Sequence, residues 1–282
     1  MTANCGRFEW FYALFAFVCL TATMQAELAQ AGSFSECKQA QVTERQIKAC
    51  SEVIRLTQLD STQKSIAHFN RANAHKRNGD LDAAIKDYDV AISLRPIFAD
   101  AYFNRGNLRA ATKSSIDAIE DFSKVIQLEP HRTQALNNRG VELTKMGRLN
   151  DAIEDFNSAL KFDPDYVGAL INRGIAYTRS GATANAISDF DTALKYQPND
   201  GGIYLNRGIA KLTIRQFEAA IQDFNRAERT FPRDAQLYFL RGSAYAGIGK
   251  LEAGRADWLH ALELNPDHEH ARRALEATEI RQ

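Results

Sequence analysis

Apolar and polar residues alternate along much of this chain with the period of an α-helix. In one stretch Ala152, Ile153, Phe156, Ala159 and Leu160 fall at i, i+1, i+4, i+7 and i+8, so they share one helical face. A second helical stretch precedes each segment of this kind, and a proline follows it. Because proline has no amide N–H and restricts the residue before it, it ends the second helix. The pattern therefore predicts units of helix, turn, helix and turn.

These units recur every 34 residues. When the proline of each unit is numbered position 32, position 8 is always Gly or Ala, position 20 is Ala or Gly, position 24 is aromatic and position 27 is Ala or Val. The break between the helices is a glycine in four units, and Lys113 or Arg215 in the other two. All six prolines keep the interval: Pro96, Pro130, Pro164, Pro198, Pro232 and Pro266. A fixed period of this length indicates an array of one supersecondary unit.

This set of residues resembles the tetratricopeptide repeat family, and the resemblance runs from Ser65 to His268 without an insertion. It implies an all-α fold, a right-handed α-solenoid of helix-turn-helix repeats, in which each repeat packs against its neighbours. Residues 46–56 align with residues 84–94 and place Cys50 at the aromatic position, which predicts a degenerate repeat ahead of the six. We therefore divide the chain into 1–31 (secretory signal peptide), 32–64 (degenerate N-terminal repeat or cap), 65–268 (six repeats) and 269–282 (C-terminal capping helix).

The N-terminal segment differs in kind from the repeats. An apolar run from Trp10 to Met24 follows Arg7, and Ala29 and Ala31 supply the small residues of a cleavage site before Gly32. We therefore predict a secretory signal peptide. An uncleaved anchor is the alternative, although the run is shorter than the roughly 20 apolar residues that span a bilayer. We predict no membrane span in the mature chain.

The cysteines also favour export. Cys5 and Cys19 fall in the predicted signal peptide, which leaves Cys37 and Cys50. An even pair in an exported protein predicts one disulfide, with two buried free thiols as the alternative. A bridge that closes a loop of about 14 residues contributes about 3 kcal/mol, which would hold the partial repeat in place. The Cys…Ala-Cys-Ser pattern resembles exported repeat proteins of Gram-negative bacteria, so we expect a periplasmic location, with secretion or a signal anchor as alternatives.

Composition and motifs give no indication of catalysis. The 35 basic residues balance the 35 acidic residues, so bulk charge does not favour a nucleic-acid or membrane-surface partner. The sequence contains no metalloprotease or hydrolase motif, and the fragment from Gly247 to Lys250 fits an inter-helix turn. We interpret His268 and His270 as solvated residues rather than metal ligands. We predict no catalytic residue, no metal and no cofactor, and hence a protein that is not an enzyme.

Arginine at position 7 and aspartate at position 23 recur in all six repeats, from the pair Arg71 and Asp87 to the pair Arg241 and Asp257. We predict that each arginine pairs with an aspartate within or between repeats, and the alternative is ligand binding. If the pairs are exposed, each contributes about 0.2 to 1 kcal/mol.

Asparagine recurs at position 6, on the first helix of the repeats. The ladder resembles the one in O-linked N-acetylglucosamine transferases that holds an extended peptide, because an amide can both donate to and accept from a peptide group. The alternative is that each Asn only bonds the backbone of a neighbouring repeat. With neighbours at positions 5 and 9, the predicted peptide-binding groove consists of Asn70, Asn104, Asn138, Asn172, Asn206, Phe69, Phe103, Asn73, Asn107, Ile171, Ile175, Leu205 and Ile209. Basic residues at positions 12 and 13 would border this groove: Lys76, Arg77, Lys145 and Arg179.

The sequence therefore predicts a protein-protein interaction module that binds an extended peptide or a helix of a partner in the concave groove. A scaffold of cell-envelope assembly that binds through its convex face or its caps is the alternative function. The partner's identity and the oligomeric state are not determined by these residues.

Overall fold

The computed structural model describes residues 32–39, 43–112 and 114–279, and all regular secondary structure in these ranges is helical. The predicted signal peptide, residues 1–31, lies outside the described residues. The chain divides into two compact units between Leu128 and Glu129. The helices of the first unit are α1 (32–39), α2 (Thr43–Ile54), α3 (Ser61–Arg77), α4 (Leu81–Leu94), α5 (Ala99–Ala111) and α6 (Ser115–Leu128). Those of the second are α7 (Thr133–Lys145), α8 (Leu149–Phe162), α9 (Val167–Ser180), α10 (Thr183–Tyr196), α11 (Gly201–Thr213), α12 (Phe217–Glu228), α13 (Ala235–Gly247), α14 (Leu251–Leu264) and α15 (Glu269–Glu279).

Each complete repeat is a pair of helices in close contact. The pairs are α3 with α4, α5 with α6, α7 with α8, α9 with α10, α11 with α12 and α13 with α14. Within each unit, the second helix of one repeat also contacts the first helix of the next. This arrangement confirms the predicted fold class, an all-α solenoid of helix-turn-helix repeats.

The small residue at position 8 lies against the aromatic ring at position 24. A Cβ added to Gly174 would lie 2.7 Å from Cε1 of Phe190, and one added to Gly208 would lie 2.7 Å from Cε1 of Phe224. Both rings are completely buried. The recurring glycine is therefore required by a close approach of the first helix to the ring, and not by a bend in the helix.

The turn between the two helices of a repeat needs a left-handed residue. Gly79, Gly147, Gly181 and Gly249 have φ between 77° and 85°, a region that glycine enters without steric cost. In the fifth repeat Arg215 takes the same place with φ of 62°. The fold imposes this conformation on a residue type that disfavours it.

The N-terminal end of the first unit has its own small core. Cys37 and Cys50 form a disulfide, with their Cα atoms 4.6 Å apart, and both side chains are buried together with Ala49, Val53 and Ala67. Cys50 is completely buried, as the aromatic residues at position 24 of the first to fifth repeats are. The predicted pairing is therefore present, and Cys50 takes the place that the alignment gave it.

At the other end of the chain, α15 covers the last complete repeat. Ala271 and Leu275 are buried in a cluster with Tyr238, Trp258 and Ala261. Among the described helices, none combines the length and the apolar composition needed to cross a membrane.

Candidate functional site

The recurrent arginine and aspartate form an ion pair within every complete repeat. In each case Nε and Nη2 of the arginine donate to the two carboxylate oxygens of the aspartate sixteen residues later, over 2.6–3.0 Å. The six aspartates are only 2–9% exposed. Because the carboxylates are buried, the estimate for exposed pairs does not apply, and loss of the arginine would leave an unpaired buried charge.

The same arginines also reach the preceding repeat. Nη1 donates to the side chain at position 25 of that repeat over 2.5–3.0 Å, and the acceptors within the two units are Ser51, Asp89, Asn157, Asp191 and Asn225. Ser51 follows Cys50, so the degenerate repeat presents its acceptor at the aligned position. These five guanidiniums, of Arg71, Arg105, Arg173, Arg207 and Arg241, therefore tie the two helices of their own repeat to the repeat before it.

The charge state of these pairs follows from their hydrogen bonds. The hydrogen bond to Asp189 raises the pKa of Arg173 above its ordinary value. For Asp87, burial alone would raise the pKa, but hydrogen bonds from Arg71 and from His68, which lies 2.8 Å away, outweigh it and lower the pKa below 3.8. The arginines are therefore occupied structural groups.

Three of the asparagines at position 6, Asn104, Asn172 and Asn206, are held by hydrogen bonds within their own unit. Asn104 Nδ2 donates to Asn73 Oδ1 over 3.0 Å in the first unit, and Asn172 Nδ2 donates to Asn137 Oδ1 over 2.9 Å in the second. In both cases the acceptor belongs to the preceding repeat. It is a side chain, whereas the alternative considered from the sequence had a backbone acceptor. Asn206 Nδ2 donates to the carbonyl of Gly202 in its own helix.

These bonds leave part of the Asn172 and Asn206 amides available. Among the described residues, Oδ1 of Asn172 and Oδ1 of Asn206 accept no hydrogen bond, and each Nδ2 has a second N–H. All thirteen residues of the predicted groove are partly exposed. We call these thirteen residues the first-helix surface. Those numbered 69–107 belong to the first unit, and those numbered 138–209 belong to the second.

The apolar members of the first-helix surface are anchored in the core. Ile171, Ile175, Leu205 and Ile209 pack against the cluster around Phe190 and Phe224. In the first unit Phe69 packs against Tyr88 and Phe98, with ring centroids 6.0 and 4.7 Å apart. These side chains therefore present a fixed, partly apolar surface.

Three of the four basic residues predicted to border the groove bind within the protein. Lys145 forms an ion pair with the buried Glu142, 2.6 Å away, and Arg179 donates to the carbonyl of Thr144 over 2.6 Å. Arg77 donates to Gln46 of the degenerate repeat. Their first role is structural, because each hydrogen bond joins neighbouring turns or repeats.

The expectation that His268 is solvated is wrong. His268 is 8% exposed, its Nδ1 accepts from the amide of Ala271 over 3.2 Å, and its Nε2 lies 3.1 Å from Oε1 of Gln236. The imidazole thus caps the N-terminus of α15, which the sequence pattern did not reveal. His270 is exposed, and its ring stacks at 5.7 Å on Phe239. Within the part of the chain that the structure describes, no group of three or more His, Cys, Asp or Glu residues could hold a metal ion.

Comparison with known families matches models described as tetratricopeptide repeat or TPR repeat. The matched residues are 72–112, 99–132, 133–166, 167–200 and 205–269, which together cover more than half of the chain. This chain belongs to the tetratricopeptide repeat family. Tetratricopeptide repeats form protein-interaction modules, so the fold of this member is that of a module that binds other proteins. No curated protein matches the sequence.

Solved structures of other tetratricopeptide repeat proteins share the fold. A tetratricopeptide repeat protein from Parabacteroides merdae is 19% identical, with a TM-score of 0.64 and coverage of 90% of this chain and 99% of that one. PilW, a widely conserved type IV pilus biogenesis factor, is 21% identical, with a TM-score of 0.66 and coverage of 75% and 98%. The pilF protein of Pseudomonas aeruginosa is 16% identical, with a TM-score of 0.63 and coverage of 77% and 97%.

Proposed function

We propose that this tetratricopeptide repeat protein is a non-enzymatic interaction module that binds an extended peptide or a helix of a protein partner on its first-helix surface, outside the cytoplasm. The observation that carries the proposal is the arrangement of the Asn172 and Asn206 amides, each of which is fixed by one hydrogen bond and still has an unused acceptor oxygen and a second N–H. An amide fixed in this way loses little side-chain entropy when it binds a ligand.

The second unit supports the proposal most directly. The first helices α7, α9, α11 and α13 are successive neighbours there. They bring the amides of Asn172 and Asn206 next to the apolar side chains of Ile171, Leu205 and Ile209. A peptide in extended form offers a backbone N–H and C=O to the amides whatever its sequence, and its apolar side chains can cover the exposed parts of the aliphatic residues.

Two features support a location outside the cytoplasm. The disulfide between Cys37 and Cys50 is of a kind that persists in oxidising compartments and is rare in the cytosol. The apolar segment before Gly32 has the order of a secretory signal peptide. We propose the periplasm of a Gram-negative bacterium. Intact-mass analysis of the protein from its own host should show a mature N-terminus at Gly32 and a mass 2 Da below that of the dithiol; a chain that retains Met1 and two free thiols would contradict this location.

The groove is tested with peptides selected from a phage-displayed random library on the purified protein. Their affinities are then measured by fluorescence anisotropy for a variant with Asn172→Ala and Asn206→Ala. Loss of two hydrogen bonds of about 1 kcal/mol each should weaken binding by roughly tenfold or more. The matched control is Asn150→Ala with Asn185→Ala, which removes two exposed amides from the second helices α8 and α10. We expect this control to bind within about twofold of the wild type.

The opposite result would favour the alternative function. If the Asn150 and Asn185 variant loses binding and the Asn172 and Asn206 variant keeps it, the ligand lies on the second helices, as in a scaffold of envelope assembly. The Tm of both variants is measured by thermal unfolding followed by circular dichroism. A Tm that falls by more than about 5 °C in the groove variant with unchanged peptide affinity would show that the ladder only stabilises the fold.

A further inference from the structure

The fifth repeat departs from the other five at the end of its second helix. The helices α4, α6, α8, α10 and α14 all end at position 30 of their repeats, whereas α12 ends two residues earlier, at Glu228. The amides of Thr230 and Phe231 both bond the carbonyl of Ala227, so the chain turns more tightly there. The other five repeats serve as a comparison, because they show the helix end without this tighter turn.

The residue types change at the same place. Position 30 is Thr230 in the fifth repeat, and a large apolar or aromatic residue in the others: Leu94, Leu128, Phe162, Tyr196 and Leu264. Thr230 lies directly against Gly201, where an added Cβ would collide with it. Positions 26 and 29 are both arginine, Arg226 and Arg229, which no other repeat has. A short side chain therefore replaces a bulky one, beside two cations.

The consequence is a polar cleft of about 460 Å³ within the second unit. Its lining consists of Pro198, Asn199, Tyr204, Arg226, Arg229 and Thr230. The cleft lies between the end of the fourth repeat, the first helix of the fifth and the end of α12. It shares no residue with the first-helix surface.

Arg226 is held in position by a neutral group. Its Nη1 donates to the hydroxyl of Tyr204 over 2.9 Å, and the guanidinium carbon lies 5.0 Å from the centre of the Tyr204 ring. The Tyr204 hydroxyl in turn donates to the carbonyl of Pro198 over 3.0 Å, and Tyr204 is only 8% exposed. This chain of contacts fixes the guanidinium at the cleft without an ion pair, so its charge is not neutralised.

The arginines of the cleft also differ from those of position 7 in their charge balance. Arg207, on the same Tyr204 ring at 5.4 Å, is paired with Asp223 and Asp191. Among the described residues, no carboxylate lies within ion-pair distance of Arg226 or Arg229. Glu228, which precedes Arg229 in sequence, is paired with Arg241 and accepts from the hydroxyl of Tyr238. Asp200, which follows Asn199, caps α11 by accepting from the amides of Gly202 and Ile203. Because both of these carboxylates are engaged by other groups, the guanidiniums of Arg226 and Arg229 leave the cleft positively charged.

We propose that this cleft binds a carboxylate of an acidic peptide segment, between the guanidiniums of Arg226 and Arg229. Guanidinium forks match the planar carboxylate with two parallel hydrogen bonds, and such charge-assisted bonds are stronger than neutral ones. The Asn199 amide and the Thr230 hydroxyl can satisfy the peptide groups next to the carboxylate. The cleft shares no residue with the first-helix surface, so an experiment can refute binding at one of them without refuting binding at the other.

The test measures the affinity of a fluorescein-labelled hexaglutamate peptide for the full protein by anisotropy, at 50 and 200 mM NaCl. We expect saturable binding that weakens with salt, and about tenfold weaker binding for Arg226→Gln with Arg229→Gln. The matched control is Lys161→Gln with Lys195→Gln, which removes the same charge from position 29 of the third and fourth repeats, where both lysines are exposed. This control should bind within about twofold of the wild type.

A second variant tests the shape of the cleft. Thr230→Leu restores the usual residue type at position 30 and keeps both arginines, so it should also weaken hexaglutamate binding by about tenfold. Circular dichroism shows whether the Thr230→Leu variant folds. If this variant does not fold, the proposal is tested by the variant with Arg226→Gln and Arg229→Gln alone. Equal losses in the arginine and lysine variants, or no binding by the wild type, would overturn the proposal. A phosphoserine peptide that binds more than about tenfold tighter than hexaglutamate would overturn the assignment to a carboxylate.

Discussion

Replacement of Arg173 by methionine should be among the most destabilising single changes in the second unit. Nε and Nη2 of Arg173 donate to Asp189 over 2.8 and 2.7 Å, and Nη1 donates to Asn157 of the preceding repeat over 2.7 Å. Methionine keeps much of the side-chain volume and removes all three bonds. Asp189, which is 6% exposed, then has no cation beside it.

The magnitude follows from the burial of the carboxylate. An exposed pair would cost about 0.2 to 1 kcal/mol on removal, whereas an unpaired buried charge costs about 3 to 5 kcal/mol. We expect the larger value for Arg173→Met. Asp189→Leu should cost less, because the Arg173 side chain is 21% exposed and can turn to solvent. The double variant Arg173→Met with Asp189→Leu should recover most of the loss, since it leaves no charge in the core.

Urea unfolding followed by circular dichroism at 222 nm measures these free energies, and hydrogen exchange locates the effect, because neighbouring repeats can unfold separately. A loss below about 1 kcal/mol for Arg173→Met would show that water solvates Asp189 and that the buried-charge argument is wrong. A double variant as unstable as the single one would show that packing, and not charge, sets the cost.

Three further changes test other parts of the fold. Cys37→Ser with Cys50→Ser should lower the local stability of the N-terminal cap by about 3 kcal/mol. Hydrogen exchange should then be faster in α2 and unchanged in α11, which serves as the control. Unchanged exchange in α2 would contradict a stabilising bridge. Asp87→Asn should destabilise the protein at neutral pH. Because the pKa of Asp87 in the folded protein is lowered from 3.8, the difference in unfolding free energy between the wild type and the variant should shrink as the pH falls below about 4. A difference in unfolding free energy that does not change with pH would refute this. Gly174→Ala should lower the free energy of unfolding in urea by about 1 to 2 kcal/mol, because the clash with the Phe190 ring outweighs the gain of about 1 kcal/mol in helix propensity. A stabilised variant would show that the ring can move aside.

The repeat period made much of the fold predictable. One proline every 34 residues gave each residue a position, and from the positions followed the helix pairs and the pairing of arginine with aspartate. Even Cys50, in a repeat without a proline, lies where the alignment put it. Local signals sufficed here because each repeat packs mainly against its neighbours in sequence.

The candidate sites were less predictable, because they depend on which atoms meet. The sequence placed Asn172 on the first helix but did not show that its amide binds Asn137 of the preceding repeat. Lys145 and Arg179 read as a basic border, yet both are engaged within the fold. His268 read as solvated, yet it caps α15, because capping depends on a ring nitrogen and a backbone amide that meet only after the last turn forms.

By itself, the sequence determined the class of the protein, the helix pairs of its repeats and the pairing of Cys37 with Cys50, and it predicts which residues of the first helices face a partner. Only the tertiary structure decided that the six aspartates are buried, that the guanidiniums within each unit also hold the preceding repeat, and that the fifth repeat opens a cleft beside Arg226 and Arg229. The physical reason is that periodicity fixes which face of a helix a residue occupies, whereas burial, charge balance and open space depend on atoms from two or three repeats at once.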